Sequence, residues 1–511
     1  MDVETDVIVV GAGPSGLMAA TCLARLGVRV VVIDGKSGPT RESRALGLQA
    51  RSVELYDQLG LAERVLSEAT RAPSLHPGYG RTEFGTVPLA LLGQTITPFP
   101  GIQILEQSRN ERILRDACEA LGATILWRHE LVSLDAHEDD GAVSVVADGP
   151  DGSVTLRAAW LVGADGASSA VRRARGIPFE GTTNPLSFFV TDALDATGLA
   201  EEGVNVRVED EGFMLAFPMG GPGHQRLLGI ADESPDVTDE VAEEAAKRML
   251  ADRFGVEYTE TSWFSRYRTH HRIAARFRDG RVFLVGDAAH VHSPVGAQGM
   301  NTGLQDAHNL ACKLAQVVAG DASEEILDEY EHERRPVAER LVRTTDAVFS
   351  RVTSRSRLAR FVRTRLLPLV GPLAVRLIPR AARGERLYGY VSQTRIRYRM
   401  PGAREREHVL GRRRRGPATT MRRCATSHGS CTGTASTGRQ SSASLAAWAC
   451  SLSHTHATRS GGSPPTASTW CVPTGSWRAS RRRTSPSRPC TMLSARSLAR
   501  RPDAMVLATP G

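Results

Sequence analysis

No two cysteines stand at C-x-x-C spacing; the eight fall at Cys22, Cys118, Cys312, Cys424, Cys431, Cys450, Cys471 and Cys490. A zinc ribbon, a thioredoxin-type redox pair and a c-haem attachment site are thereby excluded, and three dispersed thiols before residue 411 suit a reducing cytoplasm. No apolar run approaches the ~20 residues of a membrane helix. The nearest, Leu366–Val375, is broken by Pro368 and Pro372 and surrounded by Arg360, Arg363, Arg365, Arg376 and Arg380, which reads as a packed helix pair with a solvated basic side in preference to a basic amphipathic face for a membrane surface. The chain enters a strand at once, without the basic and apolar regions of a secretory signal, so a cytoplasmic protein is expected.

Lysine is missing from Gly411–Gly511 and acid nearly so: the stretch holds 16 arginines and one acid, Asp503, a net of +15. The 410 residues before it keep 48 bases against 55 acids, a net of −7, so the overall +8 is an average over two compositions. It does not imply a nucleic-acid partner, since Arg412–Arg415 and Arg481–Arg483 lack interleaved aromatics on a regular element. From Gly411 on no helical or strand period persists, yet five Cys and three Trp (Trp448, Trp470, Trp477) are unusual for a disordered tail. The hypothesis that accounts for both is a coding sequence read out of frame, which an unbroken frame through codon 411 in the resequenced gene would refute.

Two further absences narrow the chemistry. Gly35-Lys36-Ser37 looks like the end of a phosphate loop, but the first glycine of that loop is replaced by Val30, which excludes a P-loop ATPase. No G-x-S-x-G elbow supports a serine hydrolase.

What is present begins at Asp6–Val10, an apolar run ending in Gly11-Ala12-Gly13-Pro14-Ser15-Gly16, followed by a helix to Leu26 and a second strand, Val28–Ile33, ending at Asp34. This is a βαβ unit with a G-x-G-x-x-G loop. Gly11 makes the tight turn, Gly13 lets a pyrophosphate approach the backbone, Gly16 lets helix and sheet pack, and Asp34 accepts from a ribose hydroxyl. The pattern predicts helices over Gln49–Leu59, Asn110–Leu121, Thr238–Phe254 and Gly299–Val318. It predicts strands over Thr124–Trp127, Val143–Val146, Val154–Ala158, Trp160–Gly163 and Arg281–Val285, and alternating strands over Pro185–Trp263.

Two more motifs identify a family. Asp165-Gly166-Ala167-Ser168-Ser169-Ala170-Val171-Arg172 fits D-G-x-x-S-x-x-R, and Gly286-Asp287-Ala288-Ala289-His290 continues through Pro294, Gly299, Asn301-Thr302-Gly303 and Gln305-Asp306-Ala307. With the first loop, and in the same order, these resemble the three signatures of class A FAD-dependent aromatic hydroxylases, and most of all the actinobacterial aromatic polyketide hydroxylases of angucycline and anthracycline type. The resemblance covers roughly residues 4–400. It implies an α/β fold: a glutathione-reductase-like FAD-binding Rossmann domain (residues 1–72, 98–184 and 264–345), an inserted β-sheet substrate domain (73–97 and 185–263) and a helical C-terminal extension (346–410). Residues 411–511 then stand where the family has a thioredoxin-like domain, as a possible frameshifted remnant.

The resemblance further implies FAD as cofactor, NADPH or NADH and O2 as co-substrates and a small aromatic polyketide as substrate, with no nucleic acid and no membrane span. Gly11, Gly13, Gly16 and Asp34 hold the ADP half of FAD, Arg44 and Gln107 contact the cofactor, and Asp165 serves FAD and the passing nicotinamide. Gly286 and Asp287 take the ribityl chain, and Pro294, Gly299, Met300 and Asn301 run past the flavin ring. The helix starting near Met300 aims its positive end at the negative charge of a reduced flavin. Ala297 replaces a glycine usual in this loop, a cost on the order of 1 kcal/mol where positive φ is required. No catalytic side chain is assigned: in the family oxygen adds at flavin C4a, and the hydroperoxide passes its terminal oxygen to a phenolic ring. Oxygen insertion beside a ketone, of Baeyer–Villiger type, uses the same motifs and stays open, as does an uncoupled flavin-binding product of the aberrant C-terminus. For His290 and His292 no ligand cluster supports a metal, and they read as structural hydrogen-bonding groups in preference to a base or a substrate contact.

Overall fold

In the computed structural model, Asp2–Val10 pairs in parallel with Val30–Asp34 on one side and Gly152–Gly163 on the other. Val30–Asp34 continues in parallel to Thr124–Trp127, and Gly152–Gly163 to Val282–Leu284. Five strands therefore end on the same edge of one sheet. Their central residues, among them Val7, Ile8, Val9, Val32, Ile33, Leu161, Val162 and Phe283, are buried, as strands covered on both faces must be. The structure describes residues 2–410 apart from 41–44, 138–140, 211, 232–236, 293–297, 355, 378–387, 390–391, 395 and 399–408. The out-of-frame reading of residues 411–511 lies outside the described residues, as do Arg44, Pro294 and Ala297.

The strands read separately as Val154–Ala158 and Trp160–Gly163 are one strand, Gly152–Gly163. Its burial changes character along its length. The first half alternates, where it pairs antiparallel with Ala142–Gly149, while the last four residues are all buried between parallel neighbours. The helix placed at Asn110 starts at Gln107, and Glu130–His137 is a strand that the pattern did not reveal.

A second eight-stranded sheet runs in the order His290–Val291, Glu260–Ala274, Phe179–Leu194, Gln225–Ala231, Phe213–Pro218, Val204–Val208, Leu75–Tyr79 and Thr82–Glu83. Alternation sorts its side chains into two apolar layers. Phe189, Met214, Ala216 and Leu227 pack under the helix Asp239–Met249 and the turn that continues it to Phe254. Phe188, Phe213, Leu215, Phe217, Leu228 and Ile230 face the other way, toward Leu46, Ala72 and Ile104. This sheet is joined to the first without a linker, because its edge strand His290–Val291 follows the Gly286 turn directly.

Helices Asp328–Thr353 and Arg357–Leu377 follow, the second made of Arg357–Phe361, Val362–Leu366 and Leu367–Leu377 in sequence, and beyond them Arg397–Tyr398 pairs with Val409–Leu410. The second seats Leu367, Gly371 and Val375 on Phe84, Leu89 and Leu92. A Cβ on Gly371 would fall 2.5 Å from the Phe84 ring, so glycine is needed for that contact. Its outward face departs from the solvated basic side expected: Leu366, Leu369, Val370, Leu373 and Leu377 are exposed there.

Phe189 stacks on Phe264, and Gly229 leaves it room, since a Cβ there would meet the Phe189 ring at 2.7 Å. Phe189→Ala is expected to cost about 3–5 kcal/mol, read as a lower urea midpoint. A loss under about 1 kcal/mol would mean that this layer is not close-packed.

Candidate functional site

The strand Asp2–Val10 turns at Gly11, where φ is +105° and a Cβ would lie 2.4 Å from the Ala164 carbonyl oxygen. A Cβ on Gly16 would lie 1.9 Å from the Gly11 carbonyl oxygen. Gly13 differs. Its φ of −79° suits any residue, and nothing lies within 4 Å of where its Cβ would be. Packing of the protein therefore requires the first and third glycines, and only something outside the protein would require the second. The helix Pro14–Arg25 that follows has no side-chain cap and no acid in its first turn, which leaves its amides and positive end uncompensated. Asp34 braces the loop by accepting from the Ala12 amide at 2.6 Å and the Lys36 amide at 2.7 Å, and each oxygen keeps a lone pair for a further donor.

The second glycine turn packs against the first. Ala164 N–H donates to the Val10 carbonyl at 2.7 Å. Every motif side chain here has a task in the protein. Asp165 Oδ2 accepts from the Val171 amide, the buried Ser169 hydroxyl accepts from the Arg172 amide, and the Arg172 guanidinium lies 3.8 Å over the Phe179 ring while donating to the Ala167 and Ala288 carbonyls. One atom is left over: Asp165 Oδ1 is buried with no partner among the described residues.

The third turn, Gly286–Ala288, is clamped between two helices. A Cβ on Gly286 (φ +59°) or on Gly303 would fall 2.4 or 2.3 Å from Ser15 Oγ. Below it lies a fully buried polar cluster that sequence reasoning missed. Asp306 accepts from Arg334 Nε at 2.6 Å and the Gly286 amide at 3.3 Å, and pairs with His290 Nε2 at 2.7 Å; Arg334 also reaches the Thr302 carbonyl. Burial pushes the Asp306 carboxyl up, but the Arg334 and His290 charges outweigh it and hold the pKa below the ordinary 3.8. His290 is thus a structural hydrogen-bonding group, with its ring also stacked on Phe277. Asp287 is the single exposed residue between Val282 and Val291. The protein around it nonetheless desolvates its carboxyl, which raises the pKa despite the neighbouring His290.

The remaining site residues separate. Asn301 is fully buried, and its side chain works inside the protein: Oδ1 accepts from the Gln49 amide and the Ser52 hydroxyl, and Nδ2 donates to the Gly47 carbonyl. Gly299 and Met300 open the helix Gly299–Val318, which has neither a side-chain cap nor a first-turn acid. Met300 sulfur takes a contact from Asn110 Nδ2 at 3.5 Å, one turn along the helix from Gln107. Gln107 donates to Glu111 at 2.9 Å, and Glu111, fully buried, also accepts from the Thr40 amide. Glu111 was not anticipated; no motif marks it.

The three turns lie at the carboxyl ends of neighbouring parallel strands, where α/β sheets bind ligands. The open face at Gly13, two uncompensated helix starts and the unpartnered Asp165 oxygen fit FAD, whose pyrophosphate takes amide donors and whose hydroxyls donate to carboxylates. Among the described residues, no three His, Cys, Asp or Glu side chains are grouped as metal ligands.

The buried cluster has a testable pH signature. Because the folded-state pKa of Asp306 is depressed, its contribution is fully present above the unfolded value and lost as pH falls through the folded one. Arg334→Met removes the larger counter-charge, so about 3–5 kcal/mol is expected to be lost at neutral pH and acid unfolding to begin at higher pH. Circular dichroism melts between neutral and acid pH read both effects, and an unchanged acid midpoint would sink this account.

A family model described as FAD binding domain matches residues 4–345. The chain is 36% identical over 356 residues to 12-dehydrotetracycline 5-monooxygenase/anhydrotetracycline 6-monooxygenase of Streptomyces rimosus subsp. rimosus, across 67% of this chain and 69% of that protein. It is 34% identical over 426 residues to rifampicin monooxygenase of Rhodococcus hoagii, across 81% and 83%. Among solved structures, aklavinone-11 hydroxylase in a ternary complex with FAD and aklavinone matches with a TM-score of 0.61 at 32% identity, across 69% of this chain and 70% of that one. CabE, an aromatic hydroxylase from angucycline biosynthesis, matches with a TM-score of 0.62 at 30% identity, across 80% and 82%. Three glycine turns on one sheet edge and these likenesses together place the chain in the FAD-binding-domain family of flavin-dependent aromatic monooxygenases.

Proposed function

We propose that the chain uses FAD, NADPH or NADH, and O2 to hydroxylate the phenolic ring of a flat aromatic polyketide. The observation that carries this reading is the direct run of the third glycine turn into the edge of the second sheet. It joins the sheet that ends in the turns to the sheet that carries the Phe188, Phe213, Phe217, Leu228 and Ile230 layer, apolar and aromatic lining suited to a fused-ring substrate. The relatives named for tetracycline, aklavinone and angucycline chemistry support that substrate class.

FAD, when bound, supplies hydride acceptance and the transfer of one oxygen atom from O2. The chain's own residues hold and screen. The Pro14–Arg25 amides and Gly13 receive the pyrophosphate, Asp34 and Asp287 accept from ribose and ribityl hydroxyls, and Asp165 Oδ1 accepts from a hydroxyl of FAD or of the passing nicotinamide nucleotide. The Gly299–Val318 helix start favours negative charge on the flavin ring in front of it. The aromatic layer excludes water, which would otherwise divert oxygen to peroxide.

Two experiments test this reading. Gly13→Ala is expected to leave the melting temperature of the FAD-free protein unchanged and to weaken FAD binding tenfold or more by fluorescence titration. Equal FAD affinity would remove the pyrophosphate from that place. With FAD reconstituted, NADPH consumption stimulated by a tetracyclic phenol should accompany a product that carries one atom from isotopically heavy O2. Protein that cannot be reconstituted with FAD defeats the whole reading, and substrate-stimulated NADPH loss without labelled product refutes hydroxylation.

A further inference from the structure

The helix Arg357–Leu377 has two apolar faces, and only one is used. Leu367, Gly371 and Val375 pack inward. On the opposite side Leu366, Leu369, Val370, Leu373 and Leu377 recur at one-turn spacing and are between 45% and 77% exposed, and Leu358 and Phe361 extend the exposed apolar surface toward the start of the helix. Scattered exposed leucines are ordinary; a continuous stripe along five turns marks a contact surface.

Charge selects the occupant. From Ala347 to Leu377 there are seven arginines and no acid. Arg360 and Arg363 are paired with Asp210, but among the described residues no acid pairs with Arg357 or Arg365. A second copy meeting this face with its own would set arginine against arginine, and these seven apolar side chains fall well short of the roughly 20–30 residues a side of a stable interface. The Gly411–Gly511 segment of the chain is itself strongly cationic, so it too is repelled. An anionic surface that accepts a row of aliphatic side chains without offering a groove satisfies both demands, as the headgroup region of a bilayer does. No helix among the described residues is long and apolar enough to span one.

We propose that Arg357–Leu377 docks the protein on anionic lipid, with the leucine stripe entering the acyl boundary and Arg357 and Arg365 meeting the headgroups. The inner face of the helix rests on a cluster that shares Leu75 and Ile102 with the second sheet's aromatic layer. The docked face is therefore contiguous with the layer proposed for the substrate, although docking does not depend on that assignment.

The test is co-sedimentation of the full chain with phosphatidylcholine vesicles with or without about 30% phosphatidylglycerol, at about 0.1 and 0.5 M salt. Binding is expected with the anionic vesicles alone and to weaken at the higher salt. Leu369→Glu with Leu373→Glu should lower the bound fraction at least about tenfold with an unchanged melting temperature, whereas Val132→Glu, at an exposed valine elsewhere, should leave it unchanged. Leu369→Gln with Leu373→Gln serves if the glutamate pair does not fold. Equal sedimentation of the leucine variants would assign vesicle binding to the arginine-rich tail and overturn the proposal. So would absence of wild-type binding, or a dimer by analytical ultracentrifugation that the leucine variants dissociate.

Discussion

One carboxylate, Asp306, ties together the elements on which the site depends. Its oxygens take the Gly286 amide, His290 Nε2 and Arg334 Nε, and these three groups belong to the end of the first sheet, the edge of the second and the helix Asp328–Thr353. All are buried, so no water would replace a lost partner. Breaking one link in such a cluster leaves a charge stranded at low dielectric, a penalty of about 3–5 kcal/mol against a total stability of about 5–15 kcal/mol. The cluster is a constraint more than a source of net stability, since desolvation opposes each charge it holds. What it fixes is the course of the chain from the Gly286 turn into the second sheet.

Around that anchor the turns hold one another by backbone contact. Gly11 touches Ala164, Gly16 touches Gly11, and Gly286 and Gly303 meet over Ser15. Interlocked carbonyls and Cα atoms leave little freedom, so the helix starts and strand ends that face the ligand are positioned by packing rather than by side-chain rotamers. A site that binds through amides and a few carboxylates gains most from this arrangement, because ordering such groups at binding would cost entropy.

The first βαβ unit, the three turns and the inserted sheet were legible because each has a local cause: a buried β-branched run, a glycine that sterics require, an alternation of period two. The reasons behind two motif residues were not. Arg172 and Asp306 sit in recognisable patterns, yet Arg172 serves Ala288, more than a hundred residues away, and Asp306 serves Arg334 on another helix. Asn301 was assigned toward the cofactor, but its side chain closes on Gly47, Gln49 and Ser52. Glu111 carried no signal because a buried carboxylate on an amphipathic helix reads as a surface acid. Long-range hydrogen bonding has no sequence period, and that is what pattern reading lacks. The outward leucines of Arg357–Leu377 show the opposite case: their period is plain, but only burial reveals which of two apolar faces the fold uses.

The 410 residues that precede the basic tail carry a net charge of −7, and Asp34, Asp165 and Asp287 crowd the very turns proposed to receive an anionic cofactor. The conflict disappears at short range. Net charge acts over a Debye length of about 8 Å in physiological salt, whereas the groups proposed to receive the phosphates are the amides that open the Pro14–Arg25 helix, whose first turn contains no acid. The three carboxylates stand at strand ends and turns, where hydroxyls rather than phosphates would meet them. Asp34 already spends its charge on two amides of its own loop. Acid placement by position along the turn, not by total count, lets a negatively charged protein bind a negatively charged ligand.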